Sequence, residues 1–73
     1  MIYIAESRMW RNNWVESTVH CVFSTIEKAE EYIKQVLLEE DEWWAIYSVK
    51  IDDISYKYPE YFMYYDNYGN KKK

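Results

Sequence analysis

The chain has 73 residues, a net charge of −4, one cysteine (Cys21) and one histidine (His20). That leaves room for a single small domain, and it excludes both an intramolecular disulfide and a zinc site built from Cys and His ligands. A domain of this size hides only roughly 60% of its unfolded surface and keeps a margin of about 3–5 kcal/mol, so docking on a second copy or on a partner protein is the expected reinforcement.

The opening "MIYIAES" is rich in β-branched and aromatic residues and predicts a first strand. It has neither the basic start nor the long apolar run of a signal peptide. Residues 11–13, "RNN", offer turn chemistry, because asparagine tolerates left-handed backbone conformations. "WVESTVHCVF" then alternates with period two. Val15, Ser17, Val19, Cys21 and Phe23 are expected on one face, and Trp14, Glu16, Thr18, His20 and Val22 on the other. The two runs predict a hairpin with Trp10 and Trp14 near its tip.

"STIEKAEEYIKQVLLEEDE" predicts a helix. Ser24 and Glu27 have the spacing of a capping box, and Ile26, Ala29, Ile33, Val36 and Leu37 recur as one apolar stripe, with Glu30, Glu31 and Lys34 toward water. The acidic run at residues 39–42 opposes the helix dipole, so the helix is expected to fray within it. "WWAIYSVKI" predicts a third strand in which Ala45, Tyr47, Val49 and Ile51 alternate with Trp44, Ile46, Ser48 and Lys50. "DDISYKYP" predicts a connection broken by Pro59, "EYFMYYD" a short fourth strand, and "NYGN" a terminal turn. Residues 1–70 are thus one domain, with 71–73 a basic, disordered end.

The fold class expected is α+β, with one helix on a largely antiparallel sheet of three or four strands (β-β-α-β, with the C-terminal run as the optional fourth). A right-handed crossover favours the order 2-1-3. In that arrangement the helix stripe meets Val19, Cys21, Phe23, Val49 and Ile51 beside Ile2 and Ile4. Tyr3, Trp14, Trp44 and Ile46 are left on the opposite face, to be covered by the C-terminal tail or by a partner.

At "VFSTIEKAEEYI" and "WAIYSVKIDD" the chain resembles a family of small uncharacterised proteins common in phage and bacterial genomes, over residues 15–53. The resemblance implies a hairpin, a helix opening F-S-T-x-E-K-A and a strand ending near an Asp. Phe23 then serves as core, Ser24 and Glu27 as cap, and Ala29 and Ile33 as packing. It also raises the expectation of an inhibitor of a host or anti-phage protein, and with the lone free thiol it points to the cytoplasm.

Catalytic groupings are lacking in the sequence. Adjacent residues on a strand point to opposite faces, so His20 and Cys21 are not expected to pair, and Cys21 reads as a small buried hydrophobe. Asp52 and Asp53 read as a turn, without a third ligand at a useful spacing. The lone glycine, Gly69, rules out a phosphate-binding glycine loop. The seven acids between Glu27 and Glu42 form a solvated helix face or, as a lesser alternative, a phosphate mimic.

Aromatic residues are the strongest functional signal, since six of the nine tyrosines fall at or after Tyr56. Tyr, Trp and Arg concentrate binding energy at interfaces. Trp10, Arg11, Trp14, Trp44, Tyr58, Tyr61, Tyr64 and Tyr65 are therefore the expected partner-binding residues, with Trp43 beside them and core packing as the competing role. The expectation is a non-catalytic protein-interaction module without cofactor or metal, either a homodimer or docked on a protein partner. The alternative is nucleotide or single-stranded nucleic-acid binding by stacking, for which Arg8, Arg11, Lys50 and Lys57 are the only nearby cations.

Overall fold

A computed structural model describes residues 1–50 and 59–72. Its elements run β1 (Ile2–Arg11), β2 (Trp14–Phe23), α1 (Ile26–Gln35), β3 (Glu42–Val49) and β4 (Phe62–Tyr65). The fold is α+β, and the four strands form one antiparallel sheet in the order β2-β1-β3-β4. Ile51, Asp52, Asp53 and Tyr58, all given expectations above, lie outside the described residues.

Asn12 takes φ 57 in the turn between β1 and β2, a left-handed conformation that asparagine accepts. The Arg11–Trp14 pair closes that hairpin, and the ladder then runs regularly to Glu6–Val19. The next pair is Ala5–Cys21, so His20 is an extra residue, a β-bulge. The bulge reverses the alternation of β2 on either side of it. Cys21 and Phe23 face the helix as expected, whereas Val15, Ser17 and Val19 turn to the other side. His20 itself lies on the helix side, its Nε2 hydrogen-bonded to Ser7 Oγ at 2.9 Å and its ring 4.7 Å from that of Trp44. It does not point away from Cys21 to the opposite face.

The helix begins one residue later than the capping-box spacing implies. Thr25 is the N-cap, and its Oγ1 accepts a hydrogen bond from Lys28 N at 3.2 Å. It ends at Gln35, well short of the acidic run, because Val36 is extended. That kink exposes Leu37 and buries Leu38, whose N–H donates to Asn67 O at 3.4 Å. The acids close their own turn, with Glu42 N donating to Glu39 O at 3.0 Å.

One core fills the space between helix and sheet: Ala5, Ala29, Ile33, Leu38, Trp44, Ile46 and Tyr65, flanked by Tyr3, Phe23, Tyr32, Val36, Tyr61 and Met63. Tyr3, Trp44 and Ile46 therefore face the helix and are not on the far side. Ile2, Ile4, Val19 and Val49 take the far side instead. Trp14 is on the helix side by register but lies beyond the helix, and it stays exposed. Both phases of β3 are apolar, so hydropathy did not choose between them. The volume of Trp44, fully buried, did.

The C-terminal residues complete this core. Tyr65 OH donates to Glu30 Oε2 at 2.7 Å and lies 2.8 Å from Tyr61 OH, while Tyr61 packs edge-on against Tyr3. Burial and these hydrogen bonds push the Tyr65 phenol pKa up. Asp66 then nucleates the terminal turn. Its Oδ1 accepts hydrogen bonds from Tyr68 N and Asn70 N, each at 2.9 Å, and the Asn70 bond is the main reason its carboxyl pKa is lowered. Gly69, at φ +86, lets this turn sit on the end of the helix. Beyond it Lys71 bridges to Tyr65 and Lys72 N donates to Tyr64 O at 3.0 Å. The basic end is thus tied to the outer edge of β4 as far as Lys72.

Candidate interaction surface

Two regions of different character make up the sheet face away from the helix. Glu6, Arg8, Trp10, Val15, Val19 and Val22 reach it from β1 and β2. Trp43, Ala45, Tyr47, Phe62 and Tyr64 reach it from β3 and β4. Register requires this placement, since cross-strand partners share a face: Glu6 stands between Val19 and Ala45, and Arg8 between Ser17 and Trp43.

Over β3 and β4 the side chains of the face hold one another, although Phe62 and Tyr64 remain 40% and 42% exposed. Arg8 Nε donates to Glu6 Oε1 at 2.7 Å, and Tyr47 OH donates to Glu6 Oε2 at 2.8 Å. The Arg8 guanidinium lies 5.4 Å from the Phe62 ring centre and 5.7 Å from that of Tyr64, whose hydroxyl accepts a 3.4 Å hydrogen bond from it. Phe62 stacks on Tyr47 and meets Tyr64 edge-on. Glu6 is buried there, which is tolerable for a carboxylate only because both oxygens are paired. The Tyr47 phenol is pushed up to about 12, first by burial, then by the hydrogen bond to Glu6 and that group's charge, with Arg8 pulling the other way.

Over β2 nothing among the described residues closes the face. Val15, Val19 and Val22 are 41%, 55% and 49% exposed, and Trp10 is 64% exposed. Trp10 leans on Trp43 with ring centres 6.4 Å apart, and Lys72 Nζ lies 5.7 Å from the Trp43 ring. Arg11 and Glu16, paired at 3.0 Å, lie at the hairpin end on the other face of the sheet.

The expected partner-binding residues are thereby divided. Trp10, Arg11, Trp14 and Tyr64 are exposed. Trp44 and Tyr65 are core, closed to any partner, and Tyr61 is half-buried against Tyr3. Sequence reasoning missed Val15 and Val19 because the bulge left no signature in the hydropathy, while Val22 lies on the face expected for it but was not named as a binding residue. It also missed Phe62, although the alternation Tyr61, Met63, Tyr65 against Phe62, Tyr64 held that signal.

Among the described residues no group of His, Cys, Asp and Glu could hold a metal ion, and no helix is long and apolar enough to cross a membrane. A shallow groove of about 240 Å³ beside the hairpin is lined by Ser7, Met9, Arg11, Glu16, Thr18 and Glu42, among others. The Trp44 Nε1 donor is buried without a hydrogen-bond partner among the described residues. Two aromatic rings, of His20 and Tyr32, meet Trp44 edge-on instead. No protein-family profile matches the chain, and no curated protein or solved structure is significantly similar to it.

Proposed function

We propose that this chain is a non-catalytic protein-interaction module, acting in the cytoplasm, that docks a partner protein on the face of its sheet away from the helix. One observation carries the proposal. The β2 half of that face presents Val15, Val19, Val22 and Trp10 to solvent, although the core is already complete on the other side. Exposed apolar side chains gathered in this way on one face of neighbouring strands have the composition of an interface centre. The resemblance to small phage and bacterial proteins supports seeking that partner among host or anti-phage proteins. The test is capture by immobilised chain, followed by titration of the purified captured protein. Val22→Glu should weaken its binding roughly tenfold or more, while Glu31→Lys on the helix should leave it unchanged. Equal binding by all three chains refutes docking on this face.

A second reading draws on the cations over the rings. Lys72 lies over Trp43, and Arg8 over Phe62 and Tyr64, an arrangement that suits a stacked base with its phosphate nearby. It is the weaker reading, since Arg8 is committed to Glu6. Nucleotide or a single-stranded oligonucleotide should quench tryptophan fluorescence if it holds, and salt should reverse the oligonucleotide signal.

A further inference from the structure

The two edges of the sheet are unlike. The outer edge of β4 is occupied by the returning chain at Lys71 and Lys72. The outer edge of β2, a ten-residue strand, pairs with no segment among the described residues. Natural edges are blunted by lysine, by proline, by bulges or by brevity. The stretch from Trp14 to Val19 has no lysine, no proline and no bulge, and it carries two exposed valines.

Hairpin geometry fixes which backbone groups are free. A two-residue turn closed by the Arg11–Trp14 pair directs the N–H and C=O of Trp14, Glu16 and Thr18 toward β1. Those of Val15, Ser17 and Val19 point out. Three consecutive outward positions centred on Ser17 form a self-complementary set. We infer that this edge pairs with the same edge of a second copy, antiparallel about a two-fold axis at Ser17.

In that register Val15 lies opposite the partner's Val19, Ser17 opposite the partner's Ser17 and Val19 opposite the partner's Val15, exchanging about six backbone hydrogen bonds. On the other face Glu16 lies opposite the partner's Thr18, and Trp14 opposite the partner's His20. No like charges face each other, and each Glu16 carboxylate keeps its own Arg11. Neighbouring registers are worse. An axis at Glu16 sets that carboxylate against itself, while an axis at Thr18 sets Val15 against the partner's Cys21, past the bulge, where the faces no longer match. Two four-stranded sheets would join into one of eight strands, with both helices on one side and the valines meeting at the seam.

The inference concerns the edge, so it and the open-face proposal can fail separately. Sedimentation equilibrium across a concentration range should show mass rising from 9.1 kDa toward twice that value. Ser17→Pro deletes an outward N–H while sparing the β1 ladder, so it should stay monomeric with unchanged circular dichroism. Val15→Lys places two lysines in the seam and should weaken pairing roughly tenfold or more. Phe62→Ala, away from the edge, should leave the mass unchanged. In a Cys21→Ser background, Ser17→Cys should cross-link two copies under mild oxidation, the α-carbons of such a pair lying about 5.5 Å apart. If Ser17→Pro fails to fold, Val15→Lys and the cross-link decide the matter. A chain that stays at 9.1 kDa throughout overturns edge pairing and leaves the partner-protein proposal standing. A dimer insensitive to Val15→Lys and without the cross-link, but lost in Phe62→Ala, also overturns it.

Discussion

Gly69→Ala is expected to remove most of the stability of this protein, although the substitution adds one methyl group to a terminal turn. At φ +86 an L-residue carries a backbone penalty of roughly 1–2 kcal/mol. The added Cβ would also stand 3.1 Å from Lys34 Cγ, 3.2 Å from Ile33 O and 3.2 Å from Lys34 Cα. Two of those atoms are helix backbone and cannot swing aside, so overpacking adds about 1–2 kcal/mol. Lower entropy of the unfolded chain offsets about 0.4–1 kcal/mol. The net loss, about 2–3 kcal/mol, is comparable with the whole margin of about 3–5 kcal/mol for a domain this small. In urea unfolding, with a slope of about 1 kcal/mol/M, the midpoint should fall by about 2–3 M. Gly69→Asn separates the two causes, because asparagine tolerates the left-handed backbone but brings the same Cβ. It should recover part of the loss. A Gly69→Ala stability within ~0.5 kcal/mol of the parent would refute the idea that this turn is seated on the helix end.

A chain ending at Asp53 loses β4 and with it Tyr65, Tyr61 and Met63 from the core, so it should be unfolded by circular dichroism. A folded monomer would show that those residues are cover, not core. Arg8→Ala leaves the buried Glu6 without its cation and should cost about 3 kcal/mol in urea unfolding, an effect that Glu6→Gln in the same chain should reduce. Tyr47 has a folded pKa near 12 against 10.0 in the unfolded chain, so its contribution is whole below pH 10 and is lost as pH rises toward 12. Tyr47→Phe should flatten the fall in melting temperature over that window, and an unchanged slope would contradict the raised Tyr47 pKa as its cause.

Much of the fold was legible in the sequence, because its strongest signals were local. The helix stripe of Ala29 and Ile33, the Asn12 turn and the alternation within β3 each announce an element without help from the rest of the chain. What remained hidden depends on tertiary volume. Trp44 and Tyr47 are equally plausible core residues by hydropathy, and only the space beneath the helix selects Trp44. His20 shows the same limit on the surface. As a bulge it reverses the faces of β2 without altering composition, which moved Val15 and Val19 from expected core to candidate interface. Tyr65 looked like a binding residue because tyrosines cluster around it, yet its hydroxyl is spent on Glu30 and Tyr61.

The return of Lys71 and Lys72 along β4 also bears on how far such a sheet can grow. An open sheet with two bare edges can recruit copies without limit, the route to fibres. Here the Tyr64–Tyr65 end of one edge is already paired by the chain's own backbone at Lys71 and Lys72, so among the described residues β2 offers the more open edge for strand addition. Whatever pairs with β2, a second copy or a strand of another protein, uses up that edge. Association through β2 would then favour a single pairing over an open-ended stack, because the second sheet edge of each copy is already partly covered.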